Sequence, residues 1–145
     1  MYFKWNKLSF VVVKIKMRIW VDKDGQEILG PGIYTILKTV EETGSIAAAA
    51  RKLGYSYKFI WTYIKKLEDV LGAPIVESRR GGKERGVTEL TEIGKLLLSY
   101  YESMNKEVEQ VTKAWESRFS ELITSIKQYA EVKKEEEEIP YYEEE

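Results

Sequence analysis

Ser45 and Ser56 each stand at the head of a helix-forming run, and only Gly54 and Tyr55 separate the end of the first run from the cap of the second. A serine hydroxyl satisfies the free N–H groups of a helix's first turn, and glycine adopts the left-handed conformation that closes one. The spacing therefore predicts helices over 46–53 and 57–71 joined by a short, sharp turn, the helix-turn-helix pattern. Four consecutive alanines, 47–50, keep the first of these helices thin enough for another to cross it closely. In the second, Ile60, Ile64, Leu67 and Leu71 form a core stripe with steps of four, three and four.

That stripe fixes the opposite face. At about 100° per residue, Lys58, Thr62 and Lys65 lie away from the core, with Tyr57 and Trp61 along one flank and Lys66 along the other. The first turn carries no Asp or Glu, so the positive end of the helix dipole is free to meet a phosphate. Two readings of Trp61 stay open, packing against a neighbouring hairpin or contact with a ligand.

The flanking segments supply the rest of a domain over 1–100. Odd positions from 11 to 21 are Val, Val, Ile, Met, Ile and Val while the even ones are mostly charged, which is the alternation of a half-buried strand. Asp22-Lys23-Asp24-Gly25 provides turn chemistry, and 26–29 returns, giving an expected hairpin over 11–29. After Gly30-Pro31-Gly32, Ile33, Ile36, Leu37 and Val40 have helical spacing up to Thr43-Gly44. Beyond Gly72-Ala73-Pro74, strands at 75–78 and 87–90 enclose a cation-rich tip over 79–86, a wing spanning 75–90. Arg79, Arg80, Lys83 and Arg85 give this tip a charge that a plain turn does not require. The fold class expected is mainly α with small β elements: a winged helix-turn-helix with an N-terminal β-hairpin and a long C-terminal helix.

Thr91 caps that last helix, expected to reach about residue 130, or some 60 Å at 1.5 Å per residue. Its apolar series runs Leu97, Tyr101, Met104, Val108, Val111, Trp115, Phe119, Leu122, Ile126 and Tyr129, alternating steps of four and three except for a stutter between Trp115 and Phe119. A seam of this length most simply meets a copy of itself, so Leu97 to Ile126 are expected to make a homodimeric coiled coil. Residues 131–145, with eight Glu against two Lys, are expected to be a disordered acidic tail.

Composition narrows the chemistry. Cysteine and histidine are both absent, which removes thiol and imidazole catalysis, disulfides and Cys/His metal sites. The acid pairs Glu41/Glu42 and Glu68/Asp69 are neighbours on helices, point apart, and read as solvated faces. An enzyme is not expected, nor a cofactor or a metal. The apolar run near the amino terminus is too short to span a bilayer, so no membrane partner is expected and the location expected is cytoplasmic. The overall charge of −1 divides into −6 on the tail and +5 on the remainder, and 45–86 alone carries +5. Such a local cation excess suits a polyanion.

Taken in order, Thr43-Gly44-Ser45-Ile46 with Ala49-Ala50, Ser56-Tyr57-Lys58 with Trp61, Leu67-Glu68 with Leu71-Gly72, Arg80-Gly81-Gly82-Lys83 and Leu90-Thr91-Glu92-Ile93-Gly94 resemble the amino-terminal DNA-binding domain of the ModE family of molybdate-dependent regulators. That domain is itself similar to the winged helix-turn-helix of LysR-type regulators. The hairpin with Gly25 and Leu29-Gly30-Pro31-Gly32 also looks like ModE, and the matching stretch runs from about Lys14 to Tyr101. The resemblance implies a dimer on double-stranded DNA with the second helix of the motif in the major groove, read by Ser56, Tyr57, Lys58, Trp61, Thr62 and Lys65. Ser45 and the wing cations Arg79, Arg80, Lys83 and Arg85 would hold the backbone. Glu84 and Arg85 depart from the more glycine-rich family tip. After Tyr101 the sequence offers a helix and an acidic tail in place of the family's molybdate-binding domains, so a sequence-specific regulator without a fused effector domain is expected, its effector unknown. The alternatives are a winged-helix assembly module and a non-specific architectural chromatin protein.

Overall fold

The computed structural model describes residues 11–81 and 84–138, in the order β1 (Val21–Lys23), β2 (Gln26–Leu29), α1 (Pro31–Thr43), α2 (Ile46–Leu53), α3 (Tyr57–Leu71), β3 (Val76–Gly81), β4 (Glu84–Leu90) and α4 (Glu92–Glu138). The side chains at 80–85 lie outside the description, as do residues 139–145. Two compact units result, one of Met17–Lys106 and one whose described part is 11–16 with 107–138.

In the first unit the helix boundaries follow the caps. Ser45 Oγ accepts from Ala48 N and Ser56 Oγ from Phe59 N, both at 3.1 Å. Gly44, Gly54 and Gly72 each take the left-handed conformation at a helix end. The core joins Ile33, Ile36, Leu37 and Val40 of α1, Ala49 and Ala50 of α2, and Ile60, Ile64 and Leu67 of α3 to Leu29, Ile75, Leu90, Leu98 and Tyr101. No helix among the described residues is long and apolar enough to cross a membrane.

Three expectations are corrected. The hairpin is shorter than 11–29: Asp24 and Gly25, both at positive φ, turn β1 onto β2, and only Val21–Lys23 pairs with it. The physical reason is that β2 has four residues before Gly30-Pro31, so among the described residues 11–20 has no strand left to pair with. The wing ladder runs further than 75–78 and 87–90, because Arg79 pairs with Val87 and Gly81 with Glu84, while 82–83 lie outside the described residues. Finally, α4 continues to Glu138, so 131–138 is helical rather than disordered. Glu and Lys are good helix formers, Lys133 pairs with Glu136 at 3.6 Å, and no proline intervenes before Pro140.

The start of α4 is tied into the body. Tyr101 is 3% exposed and donates its hydroxyl to Ile19 O at 2.9 Å. Leu97 and Met104 pack on the same core. These three seam positions are therefore covered by their own domain and leave the expected dimer face, which begins at Val108. Nearby, Tyr34 Oη donates to Glu102 Oε1 at 2.8 Å, and Lys38 Nζ stands 3.6 Å from the same oxygen. The Tyr34 hydrogen bond, reinforced by Lys38, holds the Glu102 carboxyl below its ordinary pKa. A lowered carboxylate pKa stabilises the fold above the ordinary carboxylate range, and this contribution is lost as pH falls through the folded value. Glu102→Gln should lower Tm at neutral pH and the gap to the parent should close in acid, as thermal melts across pH will show. Because the Glu102 side chain is 39% exposed, the effect should stay under about 1 kcal/mol.

Candidate nucleic-acid interface

The burial of Ile60, Ile64 and Leu67 turns the opposite side of α3 to solvent. Ser56, Tyr57, Lys58, Trp61, Thr62, Lys65 and Lys66 are all exposed, and Trp61 keeps 44% of its surface open. No acidic residue stands in the first turn of α3. Ser56 and Ser45 already use their hydroxyl oxygens as caps, so what each can add toward a phosphate is its O–H as donor.

Lys65 is not as free as Lys58. Its ammonium sits 3.0 Å from Glu68 Oε1 and 5.7 Å from the centre of the Trp61 ring. Glu68 is not the solvated acid its sequence position suggests. Its side chain is 11% exposed, and Oε2 accepts from Ile75 N at 2.7 Å, fastening the start of β3 to α3. The carboxylate thus sets the position of the wing relative to the exposed face of α3 and, through Lys65, orders one edge of that face.

The wing is anchored from its other strand as well. Thr88 N donates to Gly44 O at 2.8 Å, so β4 is held at the very turn that leads into Ser45. Arg79 Nε pairs with Glu89 Oε2 across the ladder at 3.3 Å, both ends well exposed. The side chains of Arg80, Lys83 and Arg85 lie outside the described residues.

One feature of this surface went unread in the sequence. Tyr55, Phe59 and Tyr63 stack in succession, with ring centres 4.7 and 5.6 Å apart, along the flank of α3 away from Trp61. All three are exposed. Their step of four, which sets them on one flank of α3, is the signal in the sequence.

Comparison with known proteins agrees with this geometry. Residues 34–95 match the family of bacterial regulatory helix-turn-helix proteins of the lysR family. The chain is 34% identical over 88 residues to the molybdenum-pterin-binding protein MopB of Rhodobacter capsulatus, covering 61% of this chain and 33% of that one. It is 27% identical over 101 residues to the transcriptional regulator ModE of Haemophilus influenzae, covering 70% and 36%. With the DNA-binding transcriptional dual regulator ModE of Escherichia coli it shares 28% over 92 residues, covering 63% and 32%. The chain thus spans about a third of the length of these relatives. Among solved structures, the BenM DNA-binding domain with benA site 1 DNA aligns with TM-score 0.47 and 24% identity, covering 61% of this chain and 94% of that one. Residues 34–95 are thus similar to the helix-turn-helix of the lysR regulatory family, within a longer stretch similar to the ModE regulators.

Proposed function

We propose that the chain is a homodimeric, sequence-specific regulator of transcription that binds double-stranded DNA, and so works in the cytoplasm. The observation that carries this is the open face of α3, where Tyr57, Lys58, Trp61 and Thr62 surround a helix start free of acidic residues, inside a LysR-type helix-turn-helix. With α3 in the major groove, Lys58 is placed to hydrogen-bond guanine, while the aromatic rings and the Thr62 methyl suit thymine methyl groups. Ser45, Ser56, Lys66 and the cations Arg79, Arg80, Lys83 and Arg85 would hold phosphates on either side, with Lys65 at the edge of the reading face.

The dimer rests on α4. Val111, Trp115, Phe119, Leu122 and Ile126 are all exposed, with Val108 at the start of the same series. A helix with this seam and no cover from the described residues has the character of one half of a coiled coil. The molybdenum chemistry in the relatives' names is outside the proposal, since the shared region is a minor part of their length.

The test is selection from random genomic fragments with the parent and with Lys58→Ala. The parent should enrich a two-fold symmetric sequence, and Lys58→Ala should flatten the preference among sequences. Absence of binding even at low salt overturns the proposal in favour of an assembly module, and binding without preference points to an architectural protein.

A further inference from the structure

The segment at 11–16 carries backbone groups that no other described residue pairs as a strand. Val11, Val13 and Ile15 are half-buried while Val12, Lys14 and Lys16 are exposed, the residue-by-residue alternation of an extended chain. Yet among the described residues no backbone group of this segment bonds to another backbone. In an extended chain the N–H and C=O of one residue point to one edge and those of the next residue to the other. On the edge carrying Val11, Val13 and Ile15, α4 supplies an acceptor, for Ile15 N donates to Glu116 Oε1 at 3.1 Å. The opposite edge, with the peptide groups of Val12, Lys14 and Lys16, meets no partner among the described residues, and an open strand edge is a template for another strand.

We propose that this edge pairs antiparallel with the same segment of a second copy of the chain, centred on Val13. The inference rests on the dimer reading above and names where the two copies first join. Registers that place odd residues opposite even ones would set the apolar face of one strand beside the charged face of the other and are excluded by the alternation. Centring on Lys14 sets two lysines face to face, and centring on Ile15 sets Lys14 against Lys16 twice, both unfavourable. Centring on Val13 opposes Val13 to itself, Val11 to Ile15, and Lys14 to Val12, so every half-buried side chain meets another and no like charges face. The second copy that supplies the strand is the one available to cover the exposed seam from Val111 to Ile126 in the same unit.

The geometry makes a sharp test possible in a chain with no cysteine of its own. On the open edge Val13 occupies a non-hydrogen-bonded pair, where Cα atoms lie about 4.5 Å apart, within the range that a disulfide spans. Val13→Cys in the full chain, mildly oxidised, should therefore run mostly as a covalent dimer. Ile15→Cys alone should stay uncrosslinked, and Val11→Cys combined with Ile15→Cys should link. Sedimentation of the parent is run alongside, with circular dichroism to show that each variant folds. A dimeric parent whose Val13→Cys variant does not link overturns the strand pairing and leaves the coiled-coil dimer standing. A parent that is monomeric throughout overturns both. Equal linking by Val13→Cys and Ile15→Cys overturns the register.

Discussion

Raising salt from about 50 mM to about 200 mM should weaken DNA binding by about 10³ to 10⁴-fold, a slope of about −5 to −7 in log K against log salt. The number follows from counting cations per half-site. If Lys66 and two or three wing residues each neutralise a phosphate, the dimer releases counterions from about six to eight of them. Lys65 adds little to this count, because its ammonium is held between Glu68 and Trp61, and Glu68 is in turn fixed by Ile75. Lys66→Ala should accordingly make the slope shallower by about 1 for each copy, and Lys65→Ala by clearly less. Titrations at four or five salt concentrations settle both points. A slope near zero would mean that the exposed aromatics bind by stacking and that the cationic face of α3 is not the interface.

The helix-turn-helix was legible because its determinants are local. Ser45 and Ser56 cap within three residues, Gly44, Gly54 and Gly72 close helices where they stand, and a four-three-four stripe puts Ile60, Ile64 and Leu67 inward whatever lies beyond. The segment at 11–20 shows the limit of such reasoning. Alternation reports that a chain is extended with one apolar side, and it is silent on whether a strand exists to pair with. The same limit explains Leu97, Tyr101 and Met104. A seam step of four and three reads identically whether the helix meets its own domain, as it does here, or a second copy.

The site was legible by face and not by partner. Exposure of Tyr57, Lys58 and Thr62 follows from helical geometry alone, while the capture of Lys65 by Glu68 depends on β3 arriving seven residues further along, a tertiary fact. A charged residue on a helix is normally exposed, and what draws Glu68 inward is a backbone N–H that needs an acceptor, that of Ile75.

Two glycines in the first turns of helices should respond in opposite directions to the same substitution. Gly32, in α1, has nothing within 4 Å of where a Cβ would stand, so Gly32→Ala should stabilise the domain by up to about 1 kcal/mol through reduced freedom of the unfolded chain and better helix propensity. At Gly94, in α4, the same Cβ would lie 2.5 Å from Ile75 O and 3.3 Å from both Ile75 Cγ2 and Leu90 Cβ. That carbonyl has little freedom to retreat. It accepts from Thr91 N at 2.8 Å and Thr91 Oγ1 at 3.2 Å, while the amide of the same residue is held by Glu68. Gly94→Ala must therefore push α4 away from the base of the wing, and the cost of such overpacking, about 1 to 3 kcal/mol, exceeds the gain in propensity of about 1 kcal/mol. Thermal melts should show Gly32→Ala at or above the parent and Gly94→Ala several degrees below it. A Gly94→Ala variant as stable as the parent would mean that the start of α4 is not clamped on Ile75, and the position of the wing would then have to be set by Glu68 and by the Thr88–Gly44 hydrogen bond.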